Sequence, residues 1–343
     1  MTDSRLDLAT LGWDAFFAEP FEPFAAQGLI PARVAVEHNY LYRLYSAHGE
    51  MLAEKSGKLR HQAAGPEALP AVGDWVAVRV GAREGRATIH GVLPRRTCFS
   101  RKAAGDPTRQ QMVAANIDTV FLVSGLDNEF NLRRIERYLT AAAHSGATPV
   151  LVLNKADLCD DTEAAERAVE PIASTVPIHV TSSLSGDGLP RLARYLRPGR
   201  TVAFLGSSGV GKSSIINRLL GTNRQRTHAV RERDSRGRHT TAHRELIVAP
   251  GGGLIIDTPG MRELRLWDGG EALRDSFDDI DALAAECHFR DCRHEREPRC
   301  AVRQAAADGR LAEARLENYR KLQKEARLSP PAAGSTRGSR RAP

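Results

Sequence analysis

No stretch of the chain approaches the roughly 20 consecutive apolar residues that cross a bilayer, so no membrane association is expected. The opening residues, MTDSRLDLATLGW, carry acids and lack a basic start followed by a long apolar core, so no secretory leader is expected either. Cysteine is scarce. Five in 343 residues do not make a disulfide framework, and three of the five fall between 287 and 300. That clustering points to a metal site in a reducing compartment, and the cytoplasm is the expected location. Neither sign of charge dominates, with 49 basic against 42 acidic residues and a formal net charge of +7. Hydrophobic residues at 41% and charged residues at 27% describe an ordinary globular chain, long enough for two or three domains.

The basic excess is unevenly placed. Seven arginines lie between Thr222 and Arg244 against Glu232 and Asp234, and five lie between Cys287 and Arg303 against three acids. The last 15 residues carry Arg337, Arg340 and Arg341 and no acid. Any one such cluster can be a solvated surface, but clustered guanidinium groups also suit a phosphate backbone.

Residues 1–30 read as an N-terminal extension whose aromatics and leucines form a short helix broken by Pro20 and Pro23. From 31 to 105 the short alternating runs RVAVE, YLYRLYS, WVAVRV and ATIHGVL, punctuated by Gly and Pro, predict a small β-barrel of the OB type. From 106 to 280 apolar strands alternate with helices, which predicts an α/β domain with a doubly wound parallel sheet and one antiparallel hairpin at ELIVAPGGGLIID. A cysteine-bearing helical domain follows over 281–328, and the basic stretch 329–343 has a disordered composition.

The strongest motif is Gly206, Ser207, Ser208, Gly209, Val210, Gly211, Lys212 and Ser213, followed by Ser214, after a strand and opening a helix. It fits the phosphate-loop pattern, in which backbone N–H groups cradle a β-phosphate. Lys212 would bridge the β- and γ-phosphates and Ser213 would ligate Mg²⁺. Asn154, Lys155, Ala156 and Asp157 end another apolar strand. An Asp there accepts both N–H donors of the guanine edge, Asn154 bonds the phosphate loop, and Lys155 packs along the base. Thr181, Ser182 and Ser183 supply a loop to close over that base, which favours GTP over ATP. Asp257 and Gly260, in DTPG, would hold Mg²⁺ through a water and sense the γ-phosphate. One of Thr240 and Thr241, in the basic segment upstream, is the expected switch residue.

The order of these parts is unusual. In an ordinary GTPase the phosphate loop, switch threonine and DxxG precede NKxD and the base loop. Here NKAD and TSS come first, which describes a circular permutation. Near the C-terminal end, Cys287, Cys292, His294 and Cys300 form a three-thiolate, one-imidazole set at short spacing. Such a set closes a tetrahedral Zn²⁺ site with no open position, so the expected metal is structural, one per chain. His288, adjacent to Cys287, is poorly placed for the same ion. Cys98 and Cys159 are isolated packing residues.

Permuted order and flanks together resemble the small-subunit ribosome biogenesis GTPases of the RsgA (YjeQ) family. The matching stretches are GDWVAV, FSRK, AANID, NLRRIERYL, NKAD, GSSGVGKSS, RGRHTT, DTPGMREL and the cysteine cluster, covering roughly 31–325. The base loop departs slightly, reading TSS where many GTPases have a Ser-Ala pair. The resemblance implies an OB-fold, a permuted P-loop GTPase domain and a zinc-binding domain acting in late small-subunit maturation. It implies a monomeric Mg²⁺-dependent enzyme that turns GTP into GDP, binds the small ribosomal subunit and its rRNA, is stimulated by that subunit, and couples hydrolysis to its own release. A nucleotide-gated RNA-binding module whose hydrolysis is incidental is one competing reading; a metalloprotein in which zinc does the chemistry is another, and the closed ligand set argues against it. Many GTPases place Gln directly after DxxG to orient water, whereas Met261 stands there and cannot do so. His239, beside the switch threonines, either orients the water, as the resemblance also suggests, or shapes the switch and touches RNA.

Overall fold

The computed structural model describes residues 7–38, 41–81, 85–103, 106–127, 130–207, 209–221, 244–257, 277–289, 291–313, 315–317, 319–320 and 323. It divides into two units, 1–264 and 265–343. No helix among the described residues is long and apolar enough to cross a membrane.

Asp14 caps the first helix, α1 (Ala15–Ala25), by accepting from Phe16 N. The helix runs unbroken through Pro20 and Pro23, contrary to the break expected from sequence. Two lost hydrogen bonds are outweighed by aromatic burial. Phe17 and Phe21 are buried, and the Trp13 ring packs edge-on against Trp75 at 4.7 Å and Phe21 at 5.5 Å.

Five strands form the barrel: β1 (Ile30–His38), β2 (Leu41–Ser46), β3 (Gly49–Lys55), β4 (Trp75–Val80) and β5 (Arg86–Val92). Their order is β1-β2-β3-β5-β4, and β4 pairs back onto β1, closing the ring. Inward positions recur every second residue, and Val34, Tyr42, Leu44, Val76, Val78 and Ile89 fill the interior. Strand β3, GEMLAEK, was not among the expected strands, since only Met51 and Ala53 face inward, Leu52 is exposed and the remaining positions are Gly, Glu and Lys. A two-stranded hairpin, β6 (Cys98–Ala103) with β7 (Asp106–Ala115), follows and was likewise not expected.

The second half of this unit is the expected doubly wound layer. Its strands are β8 (Thr119–Gly125), β9 (Thr148–Asn154), β10 (Ile178–Val180), β11 (Thr201–Leu205), β12 (Glu245–Val248) and β13 (Leu254–Asp257). Their order is β10-β9-β8-β11-β13-β12, all parallel except β12, which hairpins antiparallel onto β13. Helices α3 (Leu132–Ser145), α4 (Thr162–Val169), α5 (Leu189–Ala193) and α6 (Lys212–Leu220) connect the strands, α2 (Gly57–Gln62) belonging to the barrel. Gly146 ends α3 in the left-handed region at φ 79°, where a side chain would be strained. Phe121, Val123, Val150, Val152, Phe204 and Ile255 form the core beneath the site. Strand β12 also pairs with β1 through Val36 and Glu245, so barrel and nucleotide layer share one 11-stranded sheet.

A single buried cation ties these parts together. Arg33, 1% exposed, donates Nε to Gly73 O (3.2 Å) and Nη2 to both Asn116 O and Thr201 Oγ1 (2.9 Å each). Its Nη1 donates to Leu11 O, and the guanidinium lies 5.8 Å from the Trp75 ring centroid. Burial lowers its pKa to about 10, opposed by Asp118 and Asp74, so it stays charged at neutral pH. Nearby, buried Asp74 is gripped by Arg95 through both oxygens (2.8 and 2.7 Å) and by Ala71 N, although burial still raises its pKa.

The second unit holds helices Asp278–Ala284 and Ala301–Ala307. Phe277 packs on Tyr319 at 5.4 Å, and Arg315 reaches Asp279 at 2.7 Å. The expected helix over 311–328 falls partly, and the basic stretch 329–343 wholly, outside the described residues.

Removing the Arg33 fork strands several buried acceptors, each costing ~1–3 kcal/mol. Arg33→Met should therefore lower stability by about 3 kcal/mol or more in urea unfolding, and Arg33→Lys should recover less than half, because one ammonium cannot reproduce the fork. Equal midpoints for wild type and Arg33→Met would remove this hub from the fold's account.

Candidate functional site

The phosphate loop leaves β11 at Gly206 and enters α6 at Lys212. Gly209 and Gly211 adopt φ values of 80° and 97°, left-handed conformations in which a side chain would be strained. Lys212 Nζ donates to Gly206 O (2.7 Å) and Ser207 O (2.5 Å), curling over the loop it would serve. Val210 is buried, and Ser213 and Ser214 are half-buried on the first turn of α6, at the positive end of the helix. Ser208 lies outside the described residues.

Asn154, fully buried at the end of β9, links this loop to the base loop. Its Nδ2 donates to Val210 O (2.8 Å) and Ser183 Oγ (3.2 Å), while Oδ1 accepts from Ser183 N (3.0 Å) and Thr181 Oγ1 (3.2 Å). A Cβ on Gly211 would collide with this amide, so steric room as well as the positive φ demands glycine there. Lys155 sits at φ 67° and its ammonium pairs with Asp127. Ala156 N donates to Thr181 O at 3.1 Å. The exposed Asp157 carboxylate accepts from the Ser182 hydroxyl, which in turn accepts from Ser185 N at 3.1 Å. The Asp157 carboxylate and the loop at Ser182 are thus linked to one another at the surface.

Asp257 ends β13, beside β11 in parallel register, which brings it to the same edge of the sheet as Gly206. Gly260, Met261, His239, Thr240 and Thr241 lie outside the described residues. Two contacts were missed by sequence reasoning. Arg134 Nη1 donates to Ser207 Oγ at 2.8 Å, and Tyr138 OH lies 3.2 Å from the same atom. The i,i+4 spacing of the pair on α3 is the signal that places them on one face.

In the second unit, Cys287, Cys292, His294 and Cys300 bring their donor atoms within 4.8 Å of one another. Metal–sulfur bonds of about 2.3 Å at tetrahedral angles put two sulfurs about 3.8 Å apart, and a sulfur and an imidazole nitrogen about 3.5 Å apart. The Cys287 and Cys300 Sγ atoms are 3.8 Å apart, and His294 Nδ1 lies 3.7 and 3.3 Å from them. These four residues could hold a metal ion, and the soft donor set suits zinc. His294 needs φ 60° to join them, and Cys300 doubles as the cap of helix Ala301–Ala307. His288 is exposed and outside the set.

An NKAD-first order on a sheet whose phosphate loop comes later in the chain defines a circularly permuted P-loop GTPase with an OB-like barrel. Residues 92–267 match the family described as RsgA GTPase. A protein of Opitutus terrae named small ribosomal subunit biogenesis GTPase RsgA is 54% identical over 93% of this chain and 90% of its own length. Its namesake in Syntrophotalea carbinolica is 45% identical with the same coverage. Among solved structures, YjeQ from Thermotoga maritima superposes with a TM-score of 0.63 at 28% identity, covering 87% of this chain and 98% of that one. YloQ, described as a circularly permuted GTPase, shares the fold at a TM-score of 0.61 and 23% identity, covering 89% and 97%. The chain belongs to the RsgA GTPase family, and hydrolysis of GTP is the activity that membership implies.

If the sulfur–nitrogen cluster is a self-contained structural centre, elemental analysis of the purified protein should find one tightly held transition metal per chain. Cys292→Ser should release it and expose residues 277–323 to protease while GTP affinity changes by less than about twofold. Loss of GTP binding at matched overall stability would show the two sites to be one system.

Proposed function

We propose that this chain is a monomeric bacterial cytoplasmic GTPase that binds the small ribosomal subunit through its rRNA and couples hydrolysis to late subunit maturation and its own release. The observation that carries the reading is the Asn154 bridge, which assembles a guanine-type base loop onto a phosphate loop in permuted order. The relatives named as small-subunit biogenesis GTPases supply the partner.

In this scheme Asp157, steadied by Ser182, accepts the N–H donors of guanine, while the stem of Lys155 covers the base. Lys212 exchanges its two loop carbonyls for β- and γ-phosphate oxygens, and the backbone from Gly206 to Ser214 encloses the phosphates. Mg²⁺, held by Ser213 and through a water by Asp257, would neutralise charge developing on the phosphates. Thr240 or Thr241 and the Gly260 N–H close on the γ-phosphate side, and His239 orients the attacking water in place of the glutamine that Met261 replaces. The OB-like barrel offers a strand face to RNA, joined by the arginines of 224–244, 290–303 and 337–341. Cys287, Cys292, His294 and Cys300 would hold one zinc ion, which would keep the second unit folded.

Turnover with small subunits, large subunits or neither tests this directly: strong stimulation by small subunits alone is expected, and none would favour an RNA-binding module with incidental hydrolysis. Asp157→Asn should move preference from GTP towards xanthosine triphosphate by ~10-fold or more, since one good base hydrogen bond to a charged group is worth about 1.5–3 kcal/mol. Unchanged selectivity would detach Asp157 from base recognition. His239→Ala should lower the stimulated rate by ~10²-fold with GTP affinity kept. A normal plateau reached only at higher subunit concentration would instead assign His239 to RNA contact.

A further inference from the structure

The parallel strands begin at the end of the sheet remote from the phosphate loop, about 16 Å away along β11 at 3.3 Å per residue. There a groove of about 610 Å³ opens beside Thr119 and Thr148, the first residues of β8 and β9. One wall is a row of exposed arginines at every third position: Arg191, Arg194, Arg197 and Arg200. Arg191 lies in α5 and Arg194 caps it, while Arg197 and Arg200 flank the turn at Pro198 and Gly199. Hydrogen bonds from Arg191, Tyr195, Leu196 and Arg200 N–H groups each reach the carbonyl three residues back, which keeps this stretch tightly turned.

Three of the groove's guanidinium groups are already engaged, Arg197 donating its Nε to Arg194 O at 3.1 Å. Arg200 pairs with Asp118 at 2.8 Å, and Arg96, which also lines the groove, is held by both oxygens of Asp14. Asp118 is the groove's one acid, and its second oxygen accepts from Thr201 N. Among the described residues no carboxylate pairs with Arg191, Arg194 or Arg197. The groove floor also records their field. His179, whose Nε2 lies 3.1 Å from Tyr195 OH, has its pKa lowered first by burial and then by Arg191 and Arg194.

We propose that this groove binds the sugar–phosphate backbone of RNA, with Arg191, Arg194 and Arg197 taking phosphates at the end of the sheet opposite the phosphate loop. A row of forked donors along a groove fits the row of phosphates of one strand, whereas the side chains of an extended acidic peptide alternate between two faces. A concave site also fits a strand better than the flat surface of a membrane. That the RNA is ribosomal rests on the function proposed above; the groove itself does not.

The test compares wild type with the triple variant R191Q/R194Q/R197Q and with the triple Arg→Lys variant. Purified small ribosomal subunits and RNA extracted from them serve as probes at 50–200 mM salt. The glutamine variant should bind both at least 10-fold more weakly, and the slope of log affinity against log salt should fall by about 2–3, at 0.7–0.9 per phosphate lost. The lysine variant should keep the slope. GTP affinity and subunit-independent hydrolysis should not move. An unchanged slope in the glutamine variant overturns the groove while leaving the subunit reading intact. Arg-dependent binding of extracted RNA without binding of intact subunits supports the groove and defeats the subunit reading. Stronger Arg-dependent binding of polyglutamate, or of vesicles containing phosphatidylglycerol, than of RNA overturns the proposal.

Discussion

The phosphate loop and the candidate base loop hang together on one buried side-chain amide. Asn154 uses both ends of its amide to hold the phosphate loop at Val210 and the base loop at Thr181 and Ser183. A side-chain amide supplies two donors and a two-lone-pair acceptor, which is the number of bonds three converging loops require. An aspartate there would lose the donor and an alanine would leave a buried carbonyl and hydroxyl unsatisfied. The absent side chain at Gly211 completes the arrangement, since the amide occupies the space a Cβ would take.

Permutation is compatible with this because the constraint is spatial. β9, β10 and β11 deliver Asn154, Thr181 and Gly206 to the same edge of a parallel sheet whatever order the chain visits them in. The permuted order instead alters where the chain goes after DTPG, which is followed here by the second unit and not by NKxD. The segment bearing Thr240 and Thr241 feeds β12, and β12 is the strand that touches the barrel, through the Val36–Glu245 pair and the Arg43–Glu245 ion pair.

Much of this was legible in the residues. Continuously apolar runs such as TVFLVSG and PVLVLN could only be buried strands, and glycine at 206, 209 and 211 announced the phosphate loop. Three cysteines and a histidine within 14 positions left little room for another reading. The failures share a cause: they concern contacts distant in sequence. The α1 helix survives two prolines because Trp75, some 60 residues on, receives Trp13 and Phe17. Strand β3 exists because β2 and β5 flank it, and its own composition of Glu, Leu, Ala and Lys favours a helix. Nor did periodicity reveal that Arg134 and Tyr138 would meet Ser207, about 70 positions away.

The Arg33 hub bears on how the molecule can be taken apart. Its acceptors come from the lead-in at Leu11, the barrel loop at Gly73, the link at Asn116 and the first residue of β11. Severing the chain between barrel and nucleotide layer would leave an ionised group facing its own apolar surroundings with part of its acceptors gone. Isolated ions in such surroundings cost several kcal/mol. Barrel and nucleotide layer are therefore separate shapes but not separate folding units, and a fragment ending after the barrel would report on a different molecule from the one described.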